Sequence, residues 1–448
     1  MTHDVDPALD GGLNALRAAG QTGEVYVEDH SVYAVAVSGG RVESVESQEV
    51  RGAAFRIFSG GRVSCAYTAD ISADGLREAV GMSASLLPRC DPDDANQLPE
   101  ADSSSSAEPE IFDPLLMRME VQDKIRAARR MEESARAFDA RVTRVRQSRY
   151  TDVAGRVGVA STSGLRRSWP FTRAYGSIEL MAEQGSEKQS GWFSEFSIRQ
   201  GGLDMAQVGR EAARRAVAKL GAERTGTRRA SLVLDPLVTA SLLEALAPAL
   251  HGDNVLKGKS LLGPRLGADV GGARLTLMDD GRLEGGDRSA PWDAEGVATR
   301  CTLLIEGGVL KGFLHSSYTS VRMSSAPTGN AFRASFTTPP RIAPSTLYLQ
   351  PTGQTAQSLM AEAGDGILVT EVMGLHTIDT ISGDFSLGAA GNLIKGGHPD
   401  RPVDRIGIAG NLLGLLRAVV GVGTDMKLMP GGGAGSTVLL RDVSVSGT

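Results

Sequence analysis

The stretch Glu24-Val25-Tyr26-Val27-Glu28 places apolar side chains between polar ones, and four later segments show the same period of two. Those segments are residues 31–37, 41–49, 52–58 and 62–68. Alternation of this kind is typical of half-buried β-strands. Gly39-Gly40 and Ser59-Gly60-Gly61 separate neighbouring segments, and glycine favours tight hairpin turns because it tolerates positive φ angles. The sequence therefore predicts an antiparallel sheet near the N-terminus.

Helical patterns accompany this sheet. Apolar residues recur at helical spacing in residues 7–20, 73–87, 119–138 and 202–220. Alternating segments between residues 141 and 196 predict further strands, whereas residues 90–110 are acidic and Ser-rich and predict a surface loop. We place a domain boundary in the polar segment 223–229, so that residues 1–226 form an N-terminal α+β domain.

The second half begins with a strand followed directly by a helix. Ser231 to Leu234 predicts the strand, and Asp235-Pro236 supplies a helix N-cap and a first helical residue. Pro248 is expected to kink or end that helix. Short strands separated by Gly-rich turns follow at residues 273–278, 300–305, 308–314, 345–350 and 366–372. The predicted class is α+β, with an N-terminal antiparallel sheet and helices, and a mostly β C-terminal domain with a few helices in residues 227–448.

Composition narrows the functional classes. The chain has 448 residues, 41% of them hydrophobic and 22% charged, which is ordinary for a soluble globular protein. Its net charge of -6 argues against non-specific nucleic-acid binding. Three widely spaced cysteines form no disulfide framework. An acidic N-terminus without an apolar core and the absence of a long apolar stretch predict a cytoplasmic protein that does not enter a membrane.

Neither a metal ligand nor a catalytic residue is predicted in this chain. No two of its six histidines lie four or five residues apart, so no pair shares one turn of a zinc-binding helix. The Gly-rich residues 430–437 lack the lysine of a phosphate-binding loop and are interpreted as a turn. No serine lies in a GxSxG turn, and Cys301 is interpreted as a small buried residue.

One acidic segment has two interpretations. Its members are Asp279, Asp280, Glu284, Asp287, Asp293 and Glu295. Carboxylates this dense could bind a hard cation or supply acid/base pairs, although their spacing matches no EF-hand. Loops rich in Asp and Gly are more often solvated turns, which is the interpretation we favour. Trp292 is unusual there, because an aromatic side chain in a polar loop often packs against something or contacts a partner.

Several short motifs occur in a characteristic order in the second half. They are Gly258-Lys259-Ser260, Asp279-Asp280, residues 291–296, Pro327-Thr328-Gly329-Asn330-Ala331 and Gly383-Asp384-Phe385-Ser386. Each motif alone is weak, but together they resemble the C-terminal half of the TldD/PmbA family. Proteins of that family have been called modulators of DNA gyrase and form two-subunit metallopeptidases.

The resemblance implies a subunit type. In the family's catalytic subunit a helix carries His-Glu-x-x-x-His, which binds zinc and positions a general base. Here Leu243, Glu244 and Pro248 fall on its three defined positions, and no cysteine follows Cys301 to complete such a site. The chain therefore resembles the PmbA (TldE) subunit. This implies no cofactor in this subunit, zinc in a TldD-type catalytic partner, and unfolded or precursor peptides as substrates.

Within this hypothesis the loops at residues 291–296 and 327–331 contact substrate or partner, through Trp292, Asp293, Glu295 and Asn330. We expect Asp293→Ala to leave folding intact and to weaken the activity of the complex. Two alternatives stay open. One is a regulatory protein that binds a topoisomerase or acts in a toxin–antitoxin system. The other is a stand-alone hydrolase with an unrecognised site in the acidic loops.

Overall fold

The computed structural model describes residues 4–100 and 109–447. Residues 101–108 of the predicted Ser-rich loop lie outside this part. The helices are α1 (Asp6–Ala18), α2 (Ala73–Leu86), α3 (Pro114–Met117), α4 (Val121–Phe138), α5 (Met205–Val217), α6 (Pro236–Leu246), α7 (Gly252–Leu256), α8 (Ser317–Arg322), α9 (Ala356–Ala363) and α10 (Leu412–Arg417).

The strands fall into an N-terminal and a C-terminal set. The first set is β1 (Gly23–Ser38), β2 (Arg41–Ser59), β3 (Arg62–Thr68), β4 (Val142–Ser161), β5 (Arg166–Gln184) and β6 (Glu187–Ser197). The second set is β7 (Arg228–Leu234), β8 (Leu277–Asp280), β9 (Cys301–Glu306), β10 (Val309–Leu310), β11 (Ala331–Phe332), β12 (Arg341–Ile342), β13 (Leu347–Leu349), β14 (Gly366–Met373), β15 (Asp384–Lys395), β16 (His398–Asn411), β17 (Val419–Val422), β18 (Lys427–Met429), β19 (Gly433–Gly435) and β20 (Val438–Gly447).

The predicted N-terminal antiparallel sheet is confirmed. Its six strands lie in the order β3-β2-β1-β4-β5-β6, and every neighbouring pair is antiparallel. Both glycine turns connect hairpins as predicted. The sequence suggested separate segments within β1, but the strand is continuous from Gly23 to Ser38, since it pairs with β2 on one side and β4 on the other.

Each face of this sheet is covered by different elements. Val25 and Val27 pack with Leu9 of α1 and Val80 of α2. Farther along the sheet, buried side chains of β4 and β5 pack against α4 and α5. Because side chains alternate along a strand, Tyr26 faces the other way, where it packs near Ala294 of the C-terminal half. The polar face that alternation alone would leave in water is therefore buried.

The C-terminal half holds two larger sheets. One has the order β16-β15-β14-β7-β20-β17, and a further pairing of β16 with β20 closes five of its strands into a ring. The other has the order β10-β9-β8-β13-β19-β18. The junction into α6 forms as predicted, with the Asp235 carboxylate accepting a hydrogen bond from the Leu237 N–H at 2.9 Å. The α-helix gives way to a 3-10 turn at Ala247–Leu250, which contains Pro248.

Three local predictions in this half are wrong. Of the strand expected at residues 308–314, only Val309–Leu310 forms one, β10. Residues 273–278 were expected to form a strand, but the Leu275 N–H donates to the Gly272 carbonyl in a turn, and β8 begins only at Leu277. The Gly-rich residues 430–437 were expected to be a turn throughout, but Gly433–Gly435 forms β19 because β13 and β18 pair with it.

The α+β class is confirmed, with a helix-covered antiparallel sheet first and a β-rich region second. The boundary at 226/227 falls between α5 and β7, and we keep it as a proposed domain boundary. In the described part of the chain no helix is long and apolar enough to cross a membrane.

Candidate functional site

A cavity of about 420 Å³ lies between the polar face of the N-terminal sheet and loops of the C-terminal half. Strands β1, β4 and β5 form one wall, and residues 287–294, 329–334 and 343–345 form the other. Three of the four predicted contact residues, Trp292, Asp293 and Asn330, line it, whereas Glu295 does not. The two predicted loops therefore meet at one site, although their role in binding a substrate or partner stays a prediction.

The loop at residues 291–296 is held by Asp293. Its Oδ1 atom accepts hydrogen bonds from the N–H groups of Glu295 at 2.9 Å and Val297 at 3.0 Å. Its Oδ2 atom accepts one from the Ala331 N–H at 3.0 Å, which ties this loop to β11. Trp292 then packs against Trp169 of β5, with ring centroids 5.9 Å apart. Asp293 thus shapes the wall of the cavity.

Glu295 links the same loop to the N-terminal sheet through Arg56. Arg56 donates to both Glu24 oxygens, at 2.7 and 2.9 Å, and its Nη1 atom donates to Glu295 Oε1 at 2.7 Å. Glu295 Oε2 accepts from the N–H and the hydroxyl of Ser317, at 2.8 and 2.7 Å. Arg333 approaches Glu24 from the C-terminal side at 3.5 Å. Four charged groups from both halves of the chain therefore form one buried network, which we call the Arg56 network.

Burial and the neighbouring charges set the protonation of these groups. Burial and the negative charge of Glu295 raise the pKa of Asp293. Burial alone would also raise the pKa of Glu295, but the Arg56 charge and the Ser317 hydrogen bonds outweigh it and lower that pKa. Burial alone would lower the pKa of Arg56, but Glu24 and Glu295 raise it. Glu295 therefore keeps its charge at neutral pH, and Asp293 is the member of the pair that takes up a proton.

A second buried carboxylate fixes the loop that carries Asn330. Asp279 Oδ2 accepts a hydrogen bond from Asn330 Nδ2 at 2.6 Å, and its Oδ1 accepts one from the Ser345 N–H at 2.8 Å. The Asn330 amide also donates to the Ala343 carbonyl at 3.1 Å. Asp279 and Asn330 thus hold two of the loop segments that enclose the cavity.

The solvated interpretation of the acidic segment is wrong for four of its members. One is Asp287, whose side chain is 6% exposed and accepts a hydrogen bond from the Tyr175 hydroxyl. Asp279, Asp293 and Glu295 are buried, because backbone N–H groups, Asn330 and Arg56 satisfy their oxygens. Glu284 is exposed as expected. Cys301 begins β9, but its side chain is exposed rather than buried.

Sequence reasoning missed the charged residues that the N-terminal sheet contributes. Glu24, Glu28 and Arg56 all lie on its buried polar face. A signal was present: Glu24 and Arg56 stand opposite each other in the predicted β1–β2 hairpin, as a complementary cross-strand pair. Such a pair is equally compatible with an exposed face, so the hairpin alone does not reveal its burial.

The buried carboxyl of Asp279 gives a prediction about pH. Burial raises its pKa to about 7, above the value of about 3.9 in an unfolded chain. Between these values the folded state binds the extra proton, so this stabilisation is complete below pH ~4 and is lost as pH rises through ~7. We expect the stability advantage of the wild type over Asp279→Asn to shrink between pH 5 and 7, by at most about 1.4 kcal/mol per pH unit.

Urea unfolding at several pH values measures this difference. Glu284→Gln, an exposed carboxylate in the same segment, is the matched control and should show no such trend. An advantage of the wild type over Asp279→Asn that stays constant or grows with pH would mean that Asp279 is ionised in the folded protein.

A smaller cavity of about 180 Å³ lies beside α6. Leu243, Glu244 and Pro248 line it, together with His251 and the turn at residues 431–433. Arg288 and Pro344 line both this cavity and the larger one, so the two adjoin. Arg288 lies over the Phe332 ring at 4.9 Å and donates to the Pro344 carbonyl at 3.4 Å.

Comparison with known proteins identifies the family. Models of PmbA/TldA metallopeptidase domain 1, central domain and C-terminal domain match residues 23–87, 116–220 and 227–447. A metalloprotease of Methanothermobacter thermautotrophicus is 30% identical over 317 residues, which cover 67% of this chain and 69% of that protein. The chain belongs to the PmbA/TldD family. Metalloprotease PmbA of Escherichia coli O157:H7 is 26% identical over 446 residues, covering 99% of this chain and 96% of that protein.

Two solved structures share the fold. A Thermotoga maritima protein named as a modulator of a DNA gyrase superposes with a TM-score of 0.90 at 24% identity, covering 99% of this chain and all of that one. TldE from Thermococcus kodakarensis superposes with a TM-score of 0.89 at 20% identity, covering 98% of this chain and all of that one. At these identities the likeness shows the fold alone.

The residues around α6 do not fit the zinc ion that a PmbA/TldD metallopeptidase implies. Leu243 and Pro248 have no ligating atom, and Glu244 and His251 are too few to hold the ion. Throughout residues 4–100 and 109–447, no group of three or more His, Cys, Asp or Glu side chains is placed to bind a metal.

Proposed function

We propose that this chain is the non-catalytic, PmbA/TldE-like subunit of a heteromeric zinc metallopeptidase that cleaves unfolded or precursor peptides. The main support for this proposal is the set of residues that line the smaller cavity beside α6. Leu243 and Pro248 stand where the family's catalytic helix would place its two zinc-binding histidines. Zinc and the general base would then lie in a TldD-type partner, and this chain would form part of the enclosure around the peptide.

The names of the relatives support the subunit type. One relative similar over almost the whole chain is PmbA, and one structural neighbour is TldE. The neighbour named as a modulator of a DNA gyrase belongs to the same fold. A regulatory role at a topoisomerase is therefore an outcome that the experiment below must distinguish.

The outer half of β2 offers a surface for strand addition. Residues 41–51 pair with β1 on one side, whereas β3 pairs only with residues 53–59. Most side chains of residues 41–51 are exposed on both faces. Within the described residues no strand lies along the other edge of this segment. An extended peptide or a strand of the partner could pair there through its backbone.

Peptide cleavage tests the proposal directly. An unfolded peptide is incubated with this chain alone, with a TldD-type partner alone, and with both, and zinc is determined in each purified sample. We expect zinc and cleavage only when the partner is present, and the highest rate in the complex. Zinc and cleavage by this chain alone would overturn the proposal. Binding to a topoisomerase, without any cleavage by the two chains together, would favour the regulatory role.

Glu244 provides a sharper test, because it is the one residue here that matches the catalytic motif. Its side chain is exposed on α6, with Leu243 and Pro248 in place of the two histidines. We expect Glu244→Gln to leave the cleavage rate of the complex unchanged. The matching Glu→Gln exchange in the partner's His-Glu-x-x-x-His helix should lower it by about 10²–10⁴-fold. A comparable loss from Glu244→Gln would place the general base in this chain.

A further inference from the structure

One arginine stands where the two cavities meet. Arg288 lines both the larger cavity and the α6 cavity, and it is half-buried. Among the described residues it makes no ion pair, and its one hydrogen bond is a long contact between Nη1 and the Pro344 carbonyl at 3.4 Å. Its other guanidinium N–H groups have no acceptor in the described part of the chain, yet none of their nitrogens is among the atoms cut off from solvent. These groups are therefore accessible to a ligand.

The surroundings of Arg288 hold its guanidinium in place. The guanidinium lies over the Phe332 ring at 4.9 Å. Its aliphatic stem crosses Gly432, where an added Cβ atom would lie only 2.7 Å from Arg288 Cδ. Gly432 has a φ angle of 85°, a conformation that favours glycine, so the turn leaves room for the stem. A side chain that is already positioned loses less conformational freedom when a ligand binds.

The other charges of the larger cavity do not compensate that of Arg288. The Asp287 carboxylate is paired with Arg173 at 3.3 Å. Burial raises the pKa of Asp293 and of Glu28, which favours the uncharged form of both carboxyl groups. Arg288 thus brings an unpaired positive charge to the junction of the two cavities.

The chemistry of the junction and its walls selects a class of ligand. A guanidinium with free N–H groups suits a carboxylate, because the planar group can donate two parallel hydrogen bonds to its two oxygens. Trp169 and Trp292 supply apolar surface on the side of the larger cavity, and Leu243 supplies it on the side of α6. Glu244 also lines the α6 cavity, but it is exposed, and water screens its charge. A carboxylate attached to an apolar body fits this arrangement.

We propose that Arg288 binds the C-terminal carboxylate of a short peptide whose last side chain is apolar. With the carboxylate at the junction, the last side chain would enter the α6 cavity of about 180 Å³, beside Leu243 and Pro248. The rest of the peptide would lie in the larger cavity, whose volume of about 420 Å³ suits a further one to three residues. The choice of a peptide rests on the proposed function, whereas the position and the free donors of Arg288 do not.

Calorimetric titration of this chain alone tests the site without any cleavage. The probes are alanyl-phenylalanine, its C-terminal amide and 3-phenylpropionate. We expect the dipeptide to bind, and amidation to weaken binding by about 10- to 100-fold, since it removes the charge that faces Arg288. Equal affinity for the free and the amidated dipeptide, or no binding of any probe, would overturn the proposal. Phenylpropionate that bound as tightly as the dipeptide would overturn the choice of a peptide.

Variants then assign the binding to Arg288. Arg288→Met keeps much of the stem that packs on Gly432 and removes the charge. It should weaken binding of the free dipeptide by about the same factor as amidation, and it should leave the affinity for the amide unchanged. Arg288→Lys keeps the charge without the planar group and should fall between Arg288→Met and the wild type. Arg300→Met, which removes an exposed arginine just before β9, is the matched control and should bind like the wild type.

The free and amidated dipeptides together decide the outcome. If Arg288→Met weakened the binding of both equally, the carboxylate would not contact Arg288, and the proposal would fail. If Arg288→Met did not fold, the same comparison on the wild type and on Arg288→Lys would decide. Binding requires neither zinc nor the partner, so a failure here would leave the result of the cleavage experiment unaffected, and the subunit proposal stands or falls separately.

Discussion

We expect Arg56→Met to lower the free energy of unfolding by about 3–5 kcal/mol, because it leaves buried carboxylates without their shared cation. Glu24 and Glu295 are almost completely buried, and Arg56 contacts both at 2.7 Å. Methionine fills much of the same volume, so the loss measures charge rather than packing. Urea unfolding monitored by tryptophan fluorescence gives the value, since Trp169 and Trp292 lie close to this part of the interface.

A second Arg–Glu ion pair on the same sheet distinguishes the effect of burial on stability from the effect of ion pairing itself. Arg149 of β4 also makes two hydrogen bonds to one glutamate, Glu46, but these side chains are 31% and 56% exposed. Arg149→Met should therefore cost about 1 kcal/mol or less. The double variant Arg56→Met/Glu295→Gln should be more stable than Arg56→Met alone, because it removes the uncompensated charge of Glu295 and leaves Glu24 paired with Arg333. An Arg56→Met variant that loses no more stability than Arg149→Met would contradict this account.

The Arg56 network matters for function because it joins the two walls of the larger cavity. Arg56 and Glu24 belong to the N-terminal sheet, and Glu295 belongs to the loop that carries Trp292. If the network is broken, that loop loses its charged anchor on the sheet and keeps packing contacts such as that of Trp292 against Trp169. A weakened network should therefore loosen the cavity wall before the rest of the chain unfolds. The fluorescence of Trp169 and Trp292 would then change ahead of the main unfolding transition.

Short-range sequence signals predicted the helices and strands correctly wherever the residues that determine them lie within a few positions of one another. Gly39-Gly40 fixed the first hairpin, and Asp235-Pro236 fixed the start of α6, since turn and cap preferences need no distant partner. The predictions of a strand at residues 273–278 and of a turn at 430–437 were wrong because they depended on local pattern alone. Pairing with the distant strand β13 contributes to both segments, and no local pattern specifies it. The pairing of β18 with β19 is a local hairpin that the turn interpretation missed.

The candidate site was predicted only in part. Trp292, Asp293 and Asn330 were singled out and do line one cavity. The partners that bury the acidic loop were not predicted, because Arg56 and Glu295 are 239 residues apart. In sequence, an acidic Gly-rich loop that will be buried looks the same as one that stays in water. Only the fold, which covers the polar face of β1, distinguishes the two.

Asp293→Ala should lower the free energy of unfolding by about 3–6 kcal/mol, since each buried N–H left unpaired costs about 1–3 kcal/mol. Asp293 accepts from the N–H groups of Glu295, Val297 and Ala331, and alanine offers no acceptor to any of them. The sequence alone suggested that this exchange would leave folding intact. With the carboxylate buried between two loops, lost activity in an Asp293→Ala complex would report a damaged fold before it reported a lost contact.

Replacing Asp293 by asparagine distinguishes the contributions that its individual hydrogen bonds make to stability. Asp293→Asn keeps an oxygen for the Glu295 and Val297 N–H groups but places an NH₂ group against the Ala331 N–H. It should therefore cost about 1–3 kcal/mol, roughly half of the alanine effect. Glu284→Ala removes an exposed carboxylate from the same segment and should stay within about 0.5 kcal/mol of the wild type. Chemical unfolding of Asp293→Ala, Asp293→Asn and Glu284→Ala measures the three losses of stability, which we expect to decrease in that order. If Asp293→Ala proved as stable as Glu284→Ala, the carboxylate would not hold the loop, and a direct contact with substrate or partner would become the better explanation of any lost activity.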